Sequence, residues 1–154
     1  YHLWEFQARK LRFGPPGQDD GFGDGPLNAQ KATLQAVLED TGAKTLKYLY
    51  DFGDGWEHSI RVERISEPAS GASYPRLVEA EGACPPEDVG GPPGYADYLE
   101  ALADPDHDRH EELVQWRGPD FDVNDPGISR INAAFTALAK RWNRKPPAKR
   151  KPVR

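Results

Sequence analysis

The sequence predicts an α+β domain, with an antiparallel sheet built around a central hairpin at about residues 46–65 and three C-terminal helices packed against it. Three observations carry this. Period-two alternation of aromatic and aliphatic residues dominates the first half of the chain, three- and four-residue spacing dominates the part after Tyr95, and strands precede helices instead of alternating with them.

The first strand is His2–Ala8, with His2, Trp4, Phe6 and Ala8 on one side, and a short second strand follows at Lys10–Phe13 before Gly14-Pro15-Pro16-Gly17 stops it. Asp19 to Gly25 is an acidic, glycine-rich loop. It lacks the alternating oxygen ligands and closing glutamate of a calcium loop and reads as solvated. A short helix is expected at about 34–41, with Thr33 as N-cap and Gly42 as the C-terminal stop.

The hairpin is the densest stretch. Leu46, Tyr48, Tyr50 and Phe52 alternate before Gly53-Asp54-Gly55, and Trp56, His58, Ile60 and Val62 alternate after it. A two-residue turn would set Asp51 opposite His58 and make them a direct pair. A three-residue turn sets Phe52 opposite Trp56 and Tyr50 opposite His58, keeps both apolar rows on one face, and is favoured by burial. It also places Asp51 opposite Glu57, with His58 facing inward and Asp51 outward.

Arg76–Ala80 reads as another short strand. Residues 82–95, punctuated by proline and glycine, read as an irregular loop acting as a lid on the hairpin. Tyr95, Tyr98, Leu99 and Leu102 mark a helix ending near Pro105, and a second runs from about Asp108 to Trp116. The last is opened by Asp125-Pro126 and carries Ile128, Ile131, Phe135, Leu138 and Trp142 on one face.

Composition limits the classes. The chain has 154 residues, enough for one core. No apolar run approaches the length of a membrane span, so no membrane partner is expected. A single cysteine, Cys84, excludes an internal disulfide and fits a reducing, cytoplasmic setting. There is no methionine, and the chain enters a strand pattern at its first residues, which points to an upstream segment having been removed. The net charge of −5 is asymmetric: residues 140–154 hold eight of the 20 basic residues and no acidic one, leaving 12 basic against all 25 acidic residues in 1–139, a net of −13.

Tyr50-Asp51-Phe52-Gly53-Asp54-Gly55-Trp56-Glu57-His58, then Gly82-Ala83-Cys84-Pro85-Pro86-Glu87-Asp88-Val89-Gly90-Gly91, and then Gly94-Tyr95 with Leu99 resemble the plasmid pRiA4b ORF-3-like family. His2-Leu3 with Glu5-Phe6, and residues 118–122, fit the same pattern. The resemblance covers about residues 1–139, with 140–154 forming the end of the last helix and a basic, disordered tail. It implies a strand-rich segment and a helix ahead of His2 that are missing here. It also implies a setting in plasmids, transposons and ordinary chromosomes, with a resolvase-like label by genomic context in some relatives. The residues do not support that label, because no serine is accompanied by the arginine cluster a serine recombinase needs.

The candidate functional surface is His2, Glu5, Asp51, Asp54, Trp56, His58, Cys84, Glu87, Asp88 and Tyr95, with His58, Cys84 and Asp88 as candidate metal ligands. Structural roles compete with each: His58 among aromatics, Asp54 as turn chemistry, Cys84 as a small buried hydrophobe, and Glu87 and Asp88 bonded to their own loop. No catalytic residue is assigned and the cofactor is unknown. Arg144, Lys145, Lys149, Arg150, Lys151 and Arg154 offer phosphate contacts to a nucleic-acid partner. The expectation that follows is a binding or interaction module with a possible protein partner. The alternatives are a mobile-element DNA-binding accessory and, third, a metal-dependent enzyme.

Overall fold

The structure is a computed structural model and describes residues 2–18, 25–118 and 120–143. The acidic loop at 19–24 and the tail from Arg144 onward lie outside the described residues. No described helix is long and apolar enough to cross a membrane.

The chain forms two compact units, residues 1–66 with 85–119, and residues 67–84 with 120–154. The first contains a five-stranded sheet of β1 (Trp4–Ala8), β2 (Leu11–Gly14), β3 (Leu27–Asn28), β4 (Thr45–Tyr50) and β5 (Trp56–Arg61), in the order β3-β2-β1-β4-β5. All pairs are antiparallel except β2 with β3. The α+β expectation holds. The two-residue β3 is too short to show a period in the sequence.

Alternation works as expected on the strands. Phe6 pairs with both Phe13 and Tyr48, and Trp4 with Tyr50, so one face collects aromatics. Helix α1 (Leu34–Thr41) covers one end of that face. Its Thr33 Oγ1 accepts from Ala36 N–H at 3.2 Å, and Gly42 closes it at φ +62°. Ala8, Phe13, Val37, Ala43 and Leu46 form the buried core there, and burying Leu46 alone contributes about 2 kcal/mol. At the other end, Trp56 meets Tyr95 of α2 (Gly91–Ala103), and Tyr98 carries the ring contacts on to Trp116 of α3 (His110–Arg117).

The hairpin corrects the expected register. Tyr50 pairs with Trp56, Tyr48 with His58 and Leu46 with Ile60, leaving a five-residue connection at 51–55. This is neither turn weighed from the sequence. It is slipped by two residues from the favoured one, so every side chain keeps its face. Asp51 leaves the strand with φ +52°, Gly55 N–H donates to its carbonyl, and Leu49 instead of Asp51 now opposes Glu57. Lys47 Nζ, across from Ser59, reaches Glu57 at 2.9 Å, so the anticipated like-charge pair is replaced by an ion pair. His58 shares the aromatic face, but β5 is the edge strand and the side chain is exposed, not inward. The ladder ends at Arg61, short of residue 65, with one further bond from Val62 N–H to Lys44 O.

Residues 82–95 are not all irregular: α2 begins at Gly91. Pro92 and Pro93 fall in its first turn, where a missing N–H leaves no intrahelical bond unmade.

In the second unit, α4 (Ile128–Trp142) starts two residues later than expected. Gly127 is its N-cap at φ +68°, and Asp125 Oδ1 accepts from Gly127 N–H. Ile131, Phe135 and Leu138 are half-buried, whereas Trp142 is exposed at the helix end. Arg76–Ala80 is not a strand. Leu77 bonds through both its N–H and its carbonyl to the Asn132 side-chain amide, at 2.8 and 3.1 Å, so a side chain replaces the ladder partner.

Gly91 packs directly on the hairpin: its φ is +68°, and a Cβ there would overlap the Asp54 carbonyl oxygen. Gly91→Ala is expected to destabilise the protein by about 3 kcal/mol or more, read as a lowered urea midpoint. A change under about 0.5 kcal/mol would contradict this packing.

Candidate functional site

The first unit brings three separate segments to one point. His2 precedes β1, Asp51 follows β4, and Glu87 and Asp88 precede α2. His2 Nδ1 lies 2.8 Å from Asp51 Oδ2, while its Nε2 faces Glu87 Oε2 at 3.9 Å and Asp88 Oδ1 at 3.8 Å.

Each member is positioned by the local chain. Asp51 N–H donates to Leu3 O at 2.9 Å, tying the hairpin end to the segment that carries His2. Asp51 Oδ1 accepts from Gly53 N–H at 3.0 Å, a side-chain-to-backbone turn that fits its left-handed backbone. Its other oxygen is thereby turned toward His2. Asp88 also has a positive φ, +58°. Asp54 Oδ2 accepts from Gly90 N–H at 3.2 Å, anchoring the residue that caps α2. Glu87 is held by the Tyr50 hydroxyl, which donates at 3.1 Å. Partial burial, reinforced by the Glu87 carboxylate, raises the Tyr50 pKa and keeps the phenol a donor. The His2 and Tyr50 rings are 5.6 Å apart.

Three carboxylates around one imidazole make a centre that suits a cation. The distances separate their roles. Two ligands on one zinc-like ion stand about 3.4 Å apart at a tetrahedral angle. The separations of Nε2 from Glu87 and Asp88 are a few tenths of an ångström wider than that, whereas Nδ1 to Asp51 is a hydrogen-bond distance. Asp51 therefore orients the imidazole, and Nε2, Glu87 and Asp88 are the available donors. Among the described residues, the donors that share one centre are His2, Asp51 and Asp88, all within 4.8 Å of one another, with Glu87 beside them.

Of the residues singled out from the sequence, His2, Asp51, Glu87 and Asp88 come together, and Asp54 anchors the adjoining loop. Trp56 and Tyr95 are packing partners at 6.3 Å. Glu5 pairs with Arg12 at 3.5 Å. His58 does not belong to the cluster, its Nδ1 lying 3.2 Å from Tyr48 O on the edge strand, and Cys84, in the second unit, is an exposed thiol, not a buried one. Tyr50 was missed. Its place on the strand beside Asp51 was the available signal. Arg144, Lys145, Lys149, Arg150, Lys151 and Arg154 lie outside the described residues.

The model of the plasmid pRiA4b ORF-3-like protein family matches residues 1–129. This chain belongs to that family. The pRiA4b ORF-3-like chain is 53% identical over 145 residues to the uncharacterized protein y4hQ of Sinorhizobium fredii, covering 94% of this chain and 73% of that one. The fold is also similar to the crystal structure of a protein of unknown function, MM3350, from Methanosarcina mazei Go1. The TM-score is 0.73 with 32% identity, over 84% of this chain and 72% of the other.

Removing the Asp51 side chain withdraws the acceptor for Gly53 N–H and leaves a residue less tolerant of φ +52°. Asp51→Ala is expected to cost about 1–3 kcal/mol and Asp51→Asn clearly less, measured by chemical denaturation. Equal losses would show that backbone conformation and the Oδ1 acceptor are not what Asp51 supplies.

Proposed function

We propose that this domain is a binding module centred on a divalent transition-metal ion, held by His2 Nε2 and Asp88 with Glu87 beside them, and tuned by Asp51. The observation that carries the reading is the two-sided arrangement of His2, with Nδ1 on a carboxylate at hydrogen-bond distance and Nε2 turned toward two more carboxylates. A carboxylate behind a histidine fixes its tautomer and raises its basicity as a ligand. One imidazole and two carboxylates favour zinc or manganese over calcium, which prefers an all-oxygen shell. Glu87 and Asp88 are mostly exposed, so the ion would keep positions open to solvent or to a partner's donor group. The strongly acidic body, net −13 over residues 1–139, supports a cation over a polyanion as the ligand of this surface.

Titration of tag-free, metal-stripped protein with Zn²⁺ and Mn²⁺ by calorimetry is expected to show about one ion per chain and a rise in melting temperature. His2→Ala and the Glu87→Gln, Asp88→Asn double variant are expected to abolish it, and Asp51→Asn to weaken it about 10–100-fold. Absence of both heat and thermal shift in the unmodified protein would overturn the reading.

A further inference from the structure

A cavity of about 290 Å³ lies among α2, α3 and the Asp88–Gly94 segment, and its chemistry differs from that of the His2 centre. We infer that this cavity binds a small organic cation, an alkylguanidinium or alkylammonium group, seated against Trp116 and anchored by Asp97. Four features of the lining converge on this class.

The first is charge. Asp88, Asp97 and Glu112 face the cavity with one cation, Arg109. Arg109 is already matched, because Glu112 takes its Nε at 3.4 Å and its Nη2 at 3.0 Å in a two-point fork. That pair draws the Glu112 carboxyl below and the guanidinium above their usual ranges, so both stay ionised across the neutral range. Asp97 also lies within the field of the Arg109 guanidinium, yet three carboxylates against one guanidinium leave the cavity negative for a ligand. An anion would have to displace Glu112 and then face Asp97 and Asp88.

The second is an aromatic wall. Trp116 is 48% exposed although it stands edge-to-face with the buried Tyr98 at 5.9 Å. A large, half-exposed indole next to carboxylates is a platform for a desolvated cation. The third is the floor, where buried Leu113 offers apolar surface to an alkyl stem. The fourth is size, since the volume is at the lower end of small-molecule sites and fits a single side-chain-sized group.

Asp88 belongs to both places, so the test is made in EDTA, where the outcome is independent of the metal reading. The uniformly ¹⁵N-labelled chain has four tryptophan indoles, and the Trp116 resonance is assigned with Trp116→Phe. Addition of n-butylguanidinium or n-butylammonium chloride is expected to shift the Trp116 signal saturably, with a dissociation constant of about 1 mM. Butyrate is expected to leave it unmoved. Asp97→Asn is expected to weaken binding at least about fivefold, and Glu112→Gln, which releases Arg109, to weaken it further. Unchanged Trp4 and Trp56 signals show that the variants remain folded. No saturable shift, an equal response to butyrate, or wild-type affinity in Asp97→Asn would each overturn the inference.

Discussion

The docking of the Glu87–Gly91 segment on the hairpin turn is the contact on which the first unit depends. Gly91 approaches the Asp54 carbonyl more closely than any side chain would allow, and Gly90 N–H is bonded to the Asp54 carboxylate. Two consequences follow from one contact. The peptide units that begin α2 are anchored on the connection between β4 and β5, so Tyr95 falls against Trp56. The two acidic residues just upstream are delivered to His2 and Asp51. Packing and site are thus set by the same few atoms, and a glycine is required where they meet.

Much of the fold could be read from the chain, because burial imposes its period on it. Alternation located β1, β2, β4 and the start of β5 to within about two residues, and the Thr33 and Gly42 caps bounded α1. The hairpin register could not be read. Its length depends on Asp51 adopting a left-handed conformation, which favours glycine but which aspartate can hold when its side chain bonds the chain ahead. The Leu77 segment was mistaken for a strand because its short Leu-Val run suits one, while its hydrogen-bond partner was the side chain of a residue 55 positions away. No local pattern encodes such a partner.

The cluster was legible as a set of residues but not as a geometry. His2, Asp51, Glu87 and Asp88 all stood out by chemical type, yet the separations along the chain carry no ligand spacing. Local spacing reveals sites built on one helix or one loop. This one is assembled by β1 pairing with β4 and by the α2 loop returning to the turn, which are tertiary events. The same reasoning went astray for His58, whose chemistry was suitable but which stands on the edge strand away from the cluster, and for Cys84, which is exposed where burial was the competing expectation.

The five-residue hairpin connection also separates two kinds of inheritance. Strand faces repeat every two residues, so a connection two residues shorter would preserve the aromatic face of β4 and β5 and the core beneath α1. It would return Asp51 to the ladder and withdraw it from His2. Relatives with the longer and shorter connections could then share one scaffold while differing in whether a histidine is oriented at its open end, and loop length, more than the identity of any core residue, would distinguish them.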